Sequence, residues 1–137
     1  MHRYVLACGL ALTLPATAAW AEFDLALGEI GKREYYCTAQ MTLTNTGPDP
    51  VMEVSGHFYL YVGAERVGRS KGTWFMNIAP GASATAVFET PNAPCEAVDR
   101  YEFVVGACRL DGPGFDPVSA CSAQIKGQGP ITIAPGS

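Results

Sequence analysis

Charge is scarce in this sequence: Asp, Glu, Lys and Arg make up 16% of its 137 residues. Nine Lys and Arg stand against thirteen Asp and Glu, a net charge of −4. A nucleic-acid binder needs a basic stripe to displace counterions from phosphates, and this balance argues against one. Histidine is rarer still, with two in the chain. No Cys-x-x-Cys pair occurs, so the tight loop that lowers one thiol's pKa in dithiol redox enzymes is missing. No glycine-rich phosphate loop follows a strand and opens a helix. No apolar run beyond the opening residues is long enough to span a bilayer. After residue 21, no segment keeps helical spacing for three turns.

What the chain does have is apolar residues, 48% of the total, which is enough to build a core and excludes a disordered tail. It opens like an export leader. Met1–Arg3 is a short positive segment, Tyr4–Leu14 is apolar, and Pro15 and small residues follow. Ala19-Trp20-Ala21 fits a cleavage site before Glu22. Val5-Leu6-Ala7-Cys8 lies too early to be a lipoprotein site. Removing residues 1–21 takes away Arg3 and Cys8, and Cys37, Cys95, Cys108 and Cys121 remain. An even count in an exported chain reads as two disulfides. The expected location is therefore periplasmic or secreted.

The ten prolines and fifteen glycines punctuate the chain every eight to twelve residues, the rhythm of an all-β sandwich. Glu34–Thr44 alternates most clearly, with Tyr35, Cys37, Ala39, Met41 and Leu43 on one face and Thr38, Gln40, Thr42 and Thr44 on the other. Asn45–Pro50 is a turn cluster. Further strands are expected over Phe23–Ile30, Val51–Gly63, Val67–Ile78, Ala82–Thr90, Arg100–Leu110 and Val118–Lys126. The expectation is one seven-stranded module over 22–126, followed by a flexible tail over 127–137 in which Ile131–Ile133 extends a sheet edge.

Leu43-Thr44-Asn45-Thr46-Gly47, then Phe58-Tyr59-Leu60-Tyr61, then Ile78-Ala79-Pro80-Gly81 before an alternating strand, resembles bacterial immunoglobulin-like or fibronectin-III-like modules. This likeness covers roughly residues 34–90. With its leader and four later cysteines, the layout is similar to the small exported proteins of the interleukin-receptor-mimic (IrmA) family. That resemblance implies a secreted, protein-binding β-sandwich, with a strand-exchanged homodimer as one arrangement. It carries no catalytic residues across.

Four cysteines allow three pairings. In a seven-stranded sandwich the second strand begins at the end where the fifth-to-sixth connection lies, which favours Cys37–Cys95. Cys108 would end the sixth strand and Cys121 begin the seventh, across a hairpin, which favours Cys108–Cys121. An antibody-like Cys37–Cys108 bond is the runner-up.

Enzyme chemistry finds little to stand on. A nucleophilic triad after the leader would have to use His57, and nothing places a nucleophile beside it. His57 shares its strand parity with Ser55, Tyr59 and Tyr61, the more polar face, so a surface histidine is the simpler account. A copper site needs His and Met after a late Cys, zinc lacks ligands once cystines form, and Asp111 and Asp116 lack a calcium-binding ladder. No cofactor or metal is expected, and no enzyme activity.

Two surface features point to recognition instead. Arg66, Arg69 and Lys71 form a basic patch on a hairpin of an otherwise acidic chain, and Trp74 and Phe75 follow. Neighbours on a strand point oppositely, so one aromatic belongs to the core and one to the surface. Arg and Trp are common interface anchors. The second feature is the loop Asp111–Val118, with Phe115 at its tip. The function expected is a non-enzymatic module that binds a protein partner, with no nucleic acid and no membrane span. The alternatives are a structural or accessory subunit of a cell-envelope complex and a small protease inhibitor presenting that loop.

Overall fold

Strand β2, Tyr36–Asn45, realises the expected alternation from Cys37 on: Cys37, Ala39, Met41 and Leu43 are buried and the threonines between them face outward, whereas Tyr35, expected on the buried face, lies in the turn before the strand and is exposed. The computed structural model describes residues 22–110 and 112–136; the expected leader, and Asp111, lie outside them. Beside β2 runs β1, Phe23–Arg33, antiparallel to it, with Phe23 and Leu25 turned inward. On its other side lies β6, Ser83–Pro91, from which Phe88 enters the core while Val87 faces solvent. Threonine and serine hydroxyls link β2 and β6 across the outer face, Thr42 to Thr85 at 3.0 Å and Thr44 to Ser83 at 2.7 Å.

The second sheet is organised around β3, Val51–Val62. Phe58 and Leu60 point into the core. One edge of β3 pairs with β7, Arg100–Arg109. The opposite edge pairs with two short strands, β4 (Glu65–Arg69) along Tyr59–Val62 and β5 (Thr73–Ile78) along Val51–Gly56. Rings from both sheets meet in the middle. Phe58 stacks on Phe88 with centroids 4.5 Å apart and leans on Phe103 at 4.8 Å. Phe75 and Tyr101 meet the cluster edge-on, at 6.1 Å from Phe103 and 6.3 Å from Phe88.

The described residues thus form an all-β, sandwich-like fold of two sheets with nine strands rather than seven. Each departure from expectation has a physical cause. Val67–Ile78 divides into β4 and β5 because the Ser70 side chain interrupts the ladder. Its Oγ accepts the Phe58 N–H at 2.8 Å and donates to the Lys71 carbonyl, so Lys71 and Gly72 leave the sheet before Thr73 rejoins it.

Val118–Lys126 is not a strand. Val118–Ser122 is a short helix, α1, and only Ile125–Gly127, β8, is extended. Pro117 presets a φ of −59° ahead of the helix, and its carbonyl accepts from Ala120 and Cys121. Ala120 is the one strong helix former of that turn, and one turn is too short to show a period.

Within the stretch expected as a tail, the sheet-edge extension expected at Ile131–Ile133 is present. Ile131–Pro135 is strand β9, and it runs parallel to β7 instead of completing an antiparallel hairpin. β8 is likewise parallel to β1, and the chain crosses from one sheet to the other through Gln128–Pro130, where Gly129 has φ +58°. Prolines at 130 and 135 suit an edge strand, which leaves donors unpaired on one side. The sheet orders are β6-β2-β1-β8 and β4-β3-β7-β9, with β5 also on β3.

Both favoured disulfides form. Cys37–Cys95 joins β2 to a single helical turn, Cys95–Ala97, just before β7, and Cys108–Cys121 joins the end of β7 to α1. The second bond therefore closes on a helix and not on a seventh strand. Their sequence separations are 58 and 13 residues. Restricting the unfolded chain across these loops is worth about 4 and about 3 kcal/mol. Replacing Cys37 and Cys95 together with alanine should therefore lower the unfolding free energy more than replacing Cys108 and Cys121, as read by urea denaturation. A larger loss from the short loop would show that the second bond acts on native geometry instead.

Candidate functional site

The outer face of the second sheet gathers its polar and aromatic side chains by period and register. On β3 the residues opposite in parity to Phe58 and Leu60 are Glu53, Ser55, His57, Tyr59 and Tyr61. Register then sets Arg69 across from Tyr59, Arg66 and Arg100 across from Tyr61, and Glu102 across from Tyr59 on the β7 side. An irregularity on β7 at Gly106 restores the same face farther along, where Arg109 stands opposite Glu53. β5 adds Trp74 opposite Ser55 and Met76 opposite Glu53.

The arginines lie on the tyrosines. The Arg66 guanidinium carbon sits 3.5 Å from the centroid of the Tyr59 ring, and that of Arg100 sits 3.8 Å from the Tyr61 ring. Arg69 approaches Tyr59 from 5.9 Å. Arg66 donates through Nε and Nη2 to the Tyr61 hydroxyl at 3.3 and 3.1 Å, which raises its already high pKa. The same hydroxyl donates to Glu102 at 3.4 Å. Glu102 also pairs with Arg100 at 3.8 Å, and Glu53 with Arg109 at 3.9 Å. Arg66 and Arg69 have no carboxylate within ion-pair distance among the described residues. A planar guanidinium held over a ring face keeps its donors in its own plane, pre-oriented for a partner.

Of the residues singled out in the sequence, Arg66, Arg69 and Trp74 share this face. Trp74 is 59% exposed, while its neighbour Phe75 is buried, the split expected for adjacent strand residues. Phe115 joins the face at its far end, 66% exposed and 5.6 Å from the Arg109 guanidinium. Its loop is fixed by Asp116, whose side chain accepts the Leu110 N–H at 2.8 Å. Lys71 does not join them. It sits in the β4–β5 loop and lines a separate groove with Val87 and Glu89 of β6. Tyr59, Tyr61, Arg100 and Arg109 complete the face, and none of them stood out in the sequence. The parity of Ser55, His57, Tyr59 and Tyr61 carried the only available signal.

His57 meets Tyr59 edge-on at 4.8 Å. Its Nε2 is buried without a hydrogen-bond partner, although the ring as a whole is half-buried. Burial first, then Arg69 and Arg66, push its pKa below the ordinary value. The Tyr101 phenol, inside the core, is pushed up by burial. No nucleophile is placed against His57 in any hydrogen bond among the described residues. These residues hold no cluster of three or more His, Cys, Asp or Glu suited to a metal, and no helix long and apolar enough to cross a membrane. A cleft of about 380 Å³ lies elsewhere, between Ile30–Lys32 and Cys95–Val98.

The chain matches no protein-family model and no curated protein. Among solved structures it is similar to IrmA from Escherichia coli, with a TM-score of 0.57 at 13% identity, over 77% of this chain and 90% of that one. At this identity the likeness shows a shared fold.

The His57 shift has a direct consequence for stability. An unfolded histidine takes up its proton near the ordinary value of 6.5, and the folded one only at lower pH. Between those points the unfolded state binds more protons, so the contribution of neutral His57 is complete above the ordinary value and declines as the pH falls below it. Urea unfolding followed from about pH 7 to about pH 5 should therefore show a shallower loss in His57→Gln than in the parent chain. Parallel curves would show that His57 titrates alike in both states.

Proposed function

We propose that this chain is an exported, non-enzymatic module that binds a protein partner through the outer face of its second sheet. The observation that carries the reading is one cross-strand surface that sets arginines on tyrosines beside an exposed tryptophan. Arg, Tyr and Trp are the residue types that dominate binding energy at protein interfaces. They are concentrated here in a chain whose net charge is −4. The two disulfides suit an oxidising compartment, which supports export.

The finer assignment of the sandwich, to the immunoglobulin or fibronectin-III kind and to the receptor-mimic family, is part of the same proposal. It is supported by the fold shared with IrmA and by the placement of β1, β2 and β6 in one sheet and β3, β4 and β7 in the other. The parallel β9 departs from that pattern.

A second reading, an accessory subunit of an envelope complex, has one observation in its favour. β8 covers β1 only along Phe23–Leu25. Among the described residues no strand pairs with the rest of that edge, where a partner strand has room to add. An irregularity between Leu27 and Ile30, together with Lys32 and Arg33, guards that edge in the way soluble proteins discourage strand addition. The face is the better supported surface.

The test is parallel affinity capture with the oxidised protein from envelope extract of the producing cell and from a host-surface preparation. Trp74→Ala or Arg69→Ala should weaken a specific capture about tenfold or more, and Thr85→Ala on the opposite sheet should leave it intact. Capture indifferent to Trp74 and Arg69 removes this face. Turnover of a hydrolytic or redox substrate abolished by His57→Gln would replace the reading with an enzyme.

A further inference from the structure

The arginines of the face are not equivalent. Arg100 and Arg109 each have a carboxylate within 4 Å, Glu102 and Glu53 respectively. Arg66 and Arg69 have none among the described residues, and both approach the ring of Tyr59. Of the five N–H donors of Arg66, the Tyr61 hydroxyl takes those on Nε and one on Nη2. The Nη1 pair and one Nη2 N–H remain, in the plane of a guanidinium already immobilised on Tyr59. A planar fork with adjacent N–H groups free is the geometry that receives a carboxylate.

At the other end of the face the chemistry is apolar. Trp74 stands opposite Ser55, four residues along β3 from Tyr59. At the usual strand rise this is a separation of about 13 Å. Trp74 and Met76 are both exposed there. Glu53 and Glu102 lie among these groups, in a chain of net charge −4. The net charge of the whole chain opposes a densely charged polyanion at long range, and the face offers it nothing at the tryptophan end. A polypeptide carrying carboxylates at one end of its contact and an apolar side chain at the other matches both.

We propose that Arg66 and Arg69, held around Tyr59, form a seat for side-chain carboxylates of an acidic polypeptide partner, with Trp74 as the apolar anchor of the same contact. This rests on the docking reading above and gives it a ligand chemistry.

The probe is a short Glu-Ser repeat peptide, whose glutamates share one face when extended, with the Gln-Ser repeat as the uncharged control. Both are titrated into the isotope-labelled, oxidised protein and followed by two-dimensional NMR, arginine side-chain N–H signals included. The expected result is a saturable shift at Arg66, Arg69 and Tyr59 with the Glu-Ser peptide alone, weakened by added salt. Arg66→Gln and Arg69→Gln should each weaken binding about tenfold, and Arg33→Gln on the other sheet should not change it. Both arginines are on the surface, and unchanged thermal melts will confirm that the variants fold.

An equal response to the Gln-Ser peptide, or shifts centred on Lys32 and Arg33, overturns the proposal. So does binding of a sulfated oligosaccharide at Arg66 and Arg69 with none of the peptide, which would make the seat one for glycans. Silence of the peptide, with partner capture lost in Trp74→Ala but kept in Arg66→Gln, overturns the carboxylate seat and leaves the docking face. Capture indifferent to every variant of the face overturns the docking reading itself.

Discussion

Phe58 lies flat on Phe88 of the facing sheet and leans on Phe103 of its own, and this contact fixes which side of β3 is inside. Everything on the outer face follows from it. The period of a strand is two, so burying Phe58 and Leu60 obliges His57, Tyr59 and Tyr61 to point outward. A slip of one residue would exchange the two sets. Several devices oppose that slip. A Cβ at Gly56 would collide with the Val104 carbonyl oxygen, so only glycine fits where β3 and β7 meet at the irregularity. On the other edge, Ser70 holds the Phe58 N–H with its own side chain. The core contact and the candidate site are thus two faces of one register.

The ends of the sandwich are held by other means. Asn45, fully buried, donates to the carbonyls of Asp49 and Ile78 and accepts from the Gly47 N–H, which ties the β2–β3 turn to the end of β5. Cys37–Cys95 draws the connection before β7 onto β2. Cys108–Cys121 anchors α1 to the end of β7, and the chain then travels back as β8 and β9, each parallel to an older strand. Parallel pairing of β9 with β7 cannot be reached through a tight turn, and the stretch through α1 and β8 supplies the crossover.

What was legible in the sequence was what neighbouring residues decide. Alternation in β2 and β6, the division of Trp74 from Phe75, and the Asn45–Pro50 turn all rest on short-range pattern. The break between β4 and β5 was hidden, because a serine hydroxyl took the place of a backbone group and left no trace in hydropathy. α1 was hidden by its brevity, and β9 by a pairing that links Tyr101 to Ile131 across the chain. The site divides the same way. Arg66, Arg69 and Trp74 lie close in sequence and were visible as a patch. Arg100 and Arg109 are brought in from β7 by register, and Lys71, in the same sequence cluster, is turned away by the loop that Ser70 starts.

The neutralised arginines explain why the unneutralised pair matters. Surface ion pairs between partly exposed side chains, such as Arg100–Glu102 at 3.8 Å, contribute little to folding, so stability gives weak reason for carboxylates to stand at both Arg100 and Arg109. Their effect is on the surface itself: Glu102, across from Tyr59, and Glu53 each pair with an arginine of β7 and leave Arg66 and Arg69 without an ion-pair partner among the described residues. Arg66 and Arg69 repel each other there, and a folded protein gains nothing from that repulsion. Stacking on Tyr59 and the Tyr61 hydroxyl offset part of the cost through cation–π attraction and hydrogen bonds. Glu102, linked through the Tyr61 hydroxyl, attracts Arg66 without forming an ion pair, and Arg69 has no carboxylate within ion-pair distance among the described residues. The fold sets Glu53 and Glu102 on this face yet brings no carboxylate within ion-pair distance of Arg66 or Arg69 among its described residues, and that opening is what the proposed carboxylate seat uses.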